Sequence, residues 1–311
     1  MELLKGTWMK KQLLALAVLA LAAGTASAQA NDTLAKIKSS GTVNLGVRDS
    51  SGLAFTIGGG KYVGFHTEMA ERIVDDLKKV TGNPNLKINY QVITSQNRIP
   101  LLQNGTIDFE CGSTTNNAGR QKDAAFAVTT FVDEVRTAVK ANSGIKSVAD
   151  LNGKTVVTTT GTTSVQHLRR YERGANIDFK TVQGKDHADS FLLLESGRAD
   201  AFVMDGSILA ANIARAKNPK DFAIVGEALS FEPIACMLRK DDPKMKAALD
   251  NSIKRQIKDG SLAKLYDKWF MQPIPPTNTP LNMPMNESTK AAWANPNDKP
   301  AEAYTSKLLS K

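Results

Sequence analysis

Between Thr94 and Arg120 the chain gathers Ser95, Arg98, Ser113, Thr114, Thr115 and Arg120 around one short helix and one short strand. Leu101, Leu102 and Gln103 lead into Asn104-Gly105, where a helix should stop because glycine takes the left-handed cap without steric cost. Ile107, Asp108 and Phe109 then alternate as a strand. Its C-terminal end runs into Cys111–Thr115, the edge at which open α/β sheets place ligands. Two fixed cations and several hydroxyls converging there suit a small anion carrying one or more carboxylates.

The elements that must position this chemistry recur. Leu193-Leu194-Glu195-Ser196-Gly197-Arg198-Ala199-Asp200 repeats the pattern of apolar helix end, glycine and aspartate, and both Gly105 to Gly197 and Asp108 to Asp200 are 92 residues apart. Helix–glycine–strand junctions are common in α/β proteins; the bolder reading is two similar α/β lobes with their strand ends facing one cleft. The second strand delivers Asp205 rather than hydroxyls, so one lobe would hold anions and the other would accept from a cation. Lys154–Thr160 is a further strand, rich in Val and Thr, ending in Gly161-Thr162-Thr163-Ser164 ahead of a helix. That order places a hydroxyl and helix N-terminal amides at a ligand, although Ser and Thr are also ordinary caps.

Further strands are expected at Thr42–Val47, delivering Arg48, and at Ile88–Val92. Helices are expected at Phe65–Val80, Lys244–Asp259 and Leu262–Phe270. The prolines at 273, 275, 276, 280 and 284 forbid regular helix, and the tail beyond Phe270 is read as surface coil. His66 and His167 are read as surface or helix-packing residues. Gly58-Gly59-Gly60 lacks the spacing of a phosphate loop.

The N-terminus has the layout of an export signal: Lys5, Lys10 and Lys11, an uncharged apolar run from Leu13 to Ala23, and Ala26-Ser27-Ala28 as a cleavage site. The run is shorter than the roughly 20 residues of a membrane span. Cleavage leaves about 283 of 311 residues, enough for two domains, with the formal charge falling from +9 to about +7. Lys and Arg are scattered, with no basic run longer than two residues, which argues against nucleic acid as a partner. In an oxidising compartment Cys111 and Cys236 are expected to bridge neighbouring strands, two buried thiols being the alternative. Nothing in the spacing of Cys, His, Asp and Glu suggests a metal site or a cofactor.

Three runs, TSQNRIPLLQNGTIDFECGSTTN, GKDHADSFLLLESGRADAFVMD and CMLRKDDP, resemble the exported amino-acid-binding proteins of ABC importers (solute-binding family 3), in their acidic-amino-acid branch. The resemblance covers about Asp32 to Phe270. It implies a two-lobed periplasmic-binding-protein fold of type II, α/β, with lobes joined by two hinge strands: 31–133 plus 233–285, and 134–232, with 286–311 as a tail. It also implies a monomer in the periplasm that captures L-glutamate or L-aspartate by hinge closure and hands it to an inner-membrane ABC permease. By resemblance, Arg120 and Thr115 take the ligand α-carboxylate, Thr163 closes on it, and Asp205, assisted by Ser113, accepts from the ammonium. Arg48, Ser95, Arg98 and His187 take the side-chain carboxylate. The chain departs from the wider family at Phe126–Phe131, where many members have an FSxPY-type strand, and at Gly52–Lys61, which has only Phe55 as an aromatic cover.

The charges agree independently of the family, because two carboxylates and one ammonium match arginines and one aspartate, and arginine's planar fork suits carboxylates. A neutral ligand side chain would leave Arg48 and Arg98 uncompensated, at a cost on the order of 2–5 kcal/mol. The competing reading is an exported dehydratase or hydrolase on the same fold, with His187 beside Asp186 or Asp189 imitating a triad. There is no GxSxG elbow and no HExxH to support it.

Overall fold

The computed structural model describes residues 32–304, so the expected export signal lies outside the described residues. The chain enters through helix Thr33–Ser40 and strand β1 (Thr42–Val47), then a short ribbon of β2 (Phe55–Thr56) and β3 (Tyr62–Val63). Helix Phe65–Thr81, β4 (Lys87–Val92), helix Arg98–Gln103, β5 (Phe109–Glu110) and β6 (Ala124–Phe126) follow. β7 (Phe131–Lys140) carries the chain into a second unit of β8 (Thr155–Thr159), helix Ser164–Ala175, β9 (Lys180–Gly184), helix His187–Glu195, β10 (Ala201–Asp205) and helix Gly206–Arg215. β11 (Phe222–Ile234) returns it to β12 (Met237–Arg239), helices Pro243–Lys258 and Ser261–Tyr266, a ribbon of β13 (Pro273–Ile274) and β14 (Thr279–Pro280), and helix Glu287–Ala294.

The strands form two five-stranded sheets with one plan. The first runs β4-β1-β5-β12-β6 and the second, read from its far edge, β9-β8-β10-β7-β11. In each, the first three are parallel and the fourth is antiparallel to its neighbour. The repeated glycine–aspartate motif explains part of the likeness. Gly105 and Gly197 both sit at positive φ, 81° and 75°. Asp108 then accepts from Asn44 N at 2.9 Å while its own amide donates to Asn44 O at 2.7 Å. Asp200 makes the same reciprocal pair with Thr155, at 2.8 and 2.7 Å. One motif thus locks the central strand of each sheet to the strand that ends in site residues.

β7 and β11 are the two crossings. They pair antiparallel from Phe131↔Ile234 to Phe222↔Lys140, with an irregularity between Val225 and Ser230. β7 is a ten-residue strand, running from Phe131 to Lys140. Helix Phe65–Thr81 buries Phe65, Met69, Ile73 and Leu77 on one face and ends at Gly82, at positive φ. Each such side chain contributes roughly 1.5–3 kcal/mol on burial. Phe270 stacks on Phe131 and Tyr266, with centroids 5.3 and 4.4 Å apart, fastening the C-terminal helices beneath the start of β7.

Cys111 and Cys236 are bridged, with Cα atoms 4.2 Å apart, across the β5–β12 pair. The tail departs from the surface-coil expectation. Its prolines do stay out of helix, Pro273 and Pro280 pairing in the ribbon and Pro275 and Pro276 lying in its turn, but Glu287–Ala294 is a helix whose cap is Asn286 accepting from Thr289 N. That helix binds the start of β7: Asn286 Nδ2 donates to Val132 O, Val132 N to Thr289 Oγ1 and Trp293 Nε1 to Thr130 O. Of the two readings of His66 the structure keeps helix packing and not surface: it is fully buried on helix Phe65–Thr81, with Nδ1 2.6 Å from Gly112 O and Nε2 2.9 Å from Thr130 Oγ1. Burial takes its pKa down to about 4. Among the described residues no helix is long and apolar enough to cross a membrane.

Candidate functional site

The C-terminal ends of β1, β5, β8 and β10 deliver Arg48, Glu110, Thr159 and Asp205 to one cleft. Arg48 is buried; its Nη2 donates to Ser95 Oγ at 3.0 Å and its Nη1 to Ser113 Oγ at 3.4 Å. Nη2 also lies 3.0 Å from His187 Nε2. Arginine has no acceptor, so that nitrogen must accept, and the imidazole proton sits on Nδ1, which donates to Thr159 Oγ1 at 3.0 Å. His187 is therefore neutral. Burial first, and then Arg48, Arg98 and Arg215, hold its pKa well below the usual histidine value.

Arg98, at the start of its helix, is buried beside Arg48. Its Nη1 donates to Thr114 Oγ1 at 2.7 Å and to Ser113 O at 3.3 Å, while its Nε has no partner among the described residues. Burial drives its pKa downward, with Arg120 and Arg48 adding to the shift and Glu110 and Asp205 opposing it. A buried guanidinium with an unused donor is a strong place for an anion.

At the other end of the cleft, Arg120 donates to Thr115 O at 2.9 Å and, across the cleft, to Gly161 O at 3.3 Å. Thr163 heads the helix Ser164–Ala175 without using its side chain as a cap. Asp205 is buried and its Oδ1 has no partner among the described residues. Burial raises its pKa well above that of a free aspartate, with Asp133 and Glu232 adding to the rise and Arg120 and Arg98 opposing it. An ammonium placed there would supply the missing counter-charge. A cavity of about 520 Å³ opens at this end, between Arg120, Gly161, Thr163 and Arg169.

All nine residues singled out from the sequence, Arg48, Ser95, Arg98, Ser113, Thr115, Arg120, Thr163, His187 and Asp205, thus lie along this cleft. Sequence reasoning missed the carboxylates beneath them. Glu110 accepts from Thr114. Asp133, burial-raised to about 6, holds Ser207 N and Oγ and so the start of the helix that follows Asp205. Glu232 accepts from His167 Nε2 at 2.7 Å and Ser230 Oγ at 2.6 Å, so His167, read as a surface or helix-packing residue, is also a hydrogen-bond partner of a buried carboxylate. A strand-end or hinge carboxylate carries no sequence signal that separates it from a solvated one.

The two lobes meet closely here. Ser50 Oγ accepts from Ala188 N, and Arg215 lies 4.8 Å above the Phe55 ring, which packs on Trp269 rather than covering the site. A Cβ on Gly52 would fall 2.2 Å from Ser207 O, and one on Gly161 2.7 Å from the Gln96 backbone, so both junctions need glycine. The triad arrangement fails on geometry: Asp186 caps the Asp189 amide, and His187 presents Nδ1 to a threonine and Nε2 to an arginine.

The model of the bacterial extracellular solute-binding proteins, family 3, matches residues 43–272. The chain belongs to that family. A relative named L-glutamate/L-aspartate-binding protein, from Pseudomonas aeruginosa, is 44% identical over 285 residues, covering 91% of this chain and 94% of the relative. The Escherichia coli protein named glutamate/aspartate import solute-binding protein is also 44% identical, over 94% of this chain and 98% of its own. Among solved structures, a mutant of the arginine-binding protein of T. maritima superimposes with a TM-score of 0.69 at 29% identity, over 77% of this chain and all of its own. The family member is a two-lobed α/β binding protein of the type II kind.

Proposed function

We propose that this chain is the extracytoplasmic receptor for L-glutamate and L-aspartate of an ABC importer, released as a monomer into the periplasm after removal of residues 1–28 and delivering its ligand to an inner-membrane permease. The observation that carries the ligand assignment is the buried pair Arg48 and Arg98, tied to Ser95, Ser113 and Thr114, some way along one cleft from Asp205 and its unpartnered Oδ1. An acidic amino acid places one carboxylate at the arginine pair, its α-carboxylate at Arg120, Thr115 and Thr163, and its ammonium at Asp205. The names and 44% identity of the two curated relatives support the same ligand class.

The lobes are taken as 31–133 with 233–285, and 134–232. Support comes from the ladder, in which Asp133 faces Glu232 and Glu134 faces Phe231, so both chain crossings fall at one level. Only the closed arrangement makes ligand contacts from both lobes, so ligand shifts a hinge equilibrium toward closure.

The test is calorimetric titration of protein unfolded and refolded to strip carried-over ligand. L-Glutamate and L-aspartate should bind one-to-one, with L-glutamine weaker by about thirtyfold or more, as expected for leaving a buried charge uncompensated. Glutamine or a basic amino acid binding as tightly would overturn the ligand assignment. Conversion of bound ligand would revive the enzyme reading.

A further inference from the structure

Two positive charges face one ligand side chain that brings a single negative charge, and the surplus has an internal partner. Glu110, the last residue of β5, is fully buried. Its Oε2 accepts from the Thr114 hydroxyl at 2.7 Å, and that same hydroxyl oxygen accepts from Arg98 Nη1 at 2.7 Å. Its Oε1 has no partner among the described residues and is sealed beneath the backbone: a Cβ on Gly112 would fall 2.2 Å from it and 3.0 Å from Arg48 Cγ. The carboxylate therefore lies close to the Arg48 side chain and is joined to the Arg98 guanidinium through a hydroxyl.

We infer that Glu110 is the charge-setting residue of the side-chain subsite: it balances one of the two arginines and positions Arg98 through Thr114, so that one singly charged ligand group completes the neutralisation. The inference rests on the acidic-ligand reading and names what gives that subsite its selectivity. Burial lowers the pKa of both guanidiniums, and the Glu110 charge opposes that shift in each. Asp186, Asp205 and Asp49 also act on Arg48, and Arg120 and Asp205 on Arg98. Asp205 and Arg120 are engaged at the amino-acid end, and Asp49 and Asp186 hold no hydrogen bond to either guanidinium. Among the described residues Glu110 is the carboxylate joined by hydrogen bonds to one of the two guanidiniums, that of Arg98, through the Thr114 hydroxyl.

Its loss should change selectivity, not only affinity. In Glu110→Gln the amide keeps the shape and an acceptor for Thr114, but the subsite faces the ligand with both arginine charges unbalanced. An uncharged ligand side chain then closes on a larger buried charge, and a carboxylate gains attraction. The ratio of L-glutamine to L-glutamate dissociation constants should rise by about tenfold or more over the wild type. Glu110→Asp keeps the charge but withdraws it from Thr114. It should weaken glutamate binding while leaving that ratio within about threefold of the wild type. A merely structural role would move both ligands together in both variants.

The experiment is calorimetry of wild type, Glu110→Gln and Glu110→Asp with L-glutamate and L-glutamine, after circular dichroism has established folding. An unchanged ratio in folded Glu110→Gln overturns the inference while leaving the receptor reading intact, whereas failure of the wild type to bind acids removes both. If Glu110→Gln does not fold, the wild type decides the matter. At a pH where the phosphonate is fully ionised, an analogue of glutamate with a singly charged side-chain sulfonate should bind about tenfold or more tighter than one with a doubly charged phosphonate. Tighter or equal binding of the phosphonate would overturn charge matching.

Discussion

Gly161 shows how much of the binding energy depends on one missing carbon. It sits at a φ of 78°, its carbonyl accepts from Arg120, and a Cβ there would meet the Gln96 backbone at 2.7 Å. Gly161→Ala should leave each lobe folded, at a backbone cost of about 1–2 kcal/mol, but hold the lobes apart. Binding of both acidic ligands should weaken together by about tenfold or more, since contacts from the far lobe are lost. Titration and melting curves check this; unchanged affinity would mean that the junction does not limit closure. Legibility at this scale divided by chemistry. Arg48, Arg98 and Asp205 were readable because charged residues at strand and helix ends beside hydroxyls have few structural uses. Glu110 and Glu232 were not, because an acid one residue past an apolar strand position looks the same whether it faces solvent or lies buried in the cleft.

Among elements, the repeated glycine–aspartate motif was readable from spacing, and its reciprocal bonds to Asn44 and Thr155 explain why spacing was preserved between sheets of the same strand order. The C-terminal helix was not. Five prolines precede it, and eight residues supply too little helix propensity to announce themselves; tertiary contacts with β7 hold it instead. Those contacts occupy Val132 N and O, Thr130 O, and, through Asn297, Thr129 N, all at the point where the chain leaves the first sheet. A chain ending at residue 285 exposes these groups together with the buried Thr289 site and the Trp293 face against Tyr266. It should melt lower by roughly 5–10 °C, corresponding to about 2–3 kcal/mol for a domain of this size. A melting temperature within a degree or so of full length would show that the helix is passenger rather than clamp.

For the whole molecule, closure is coupled to a proton. Arg48 belongs to the first lobe and His187 to the second, and the 3.0 Å contact between them requires an unprotonated Nε2. In the closed arrangement its pKa lies well below the ordinary histidine value, from burial and then the neighbouring arginines, and separation from Arg48 would relieve part of that depression. The closed-state value being the depressed one, closure is unhindered above about pH 6.5 and must expel a proton below it. Affinity for L-glutamate should therefore be flat from about pH 7 to 8 and fall as pH drops toward 5, by up to about tenfold per unit. Asp205 does not cancel the trend, because the ligand ammonium stabilises its ionised form when the cleft closes. In His187→Gln, whose side chain can still accept from Arg48 but cannot charge, affinity should be lower at neutral pH and nearly level across the same range. A flat profile in the wild type would mean that His187 keeps its proton or keeps its distance in the bound state, and the Arg48–His187 contact would then not be part of the ligand-holding conformation.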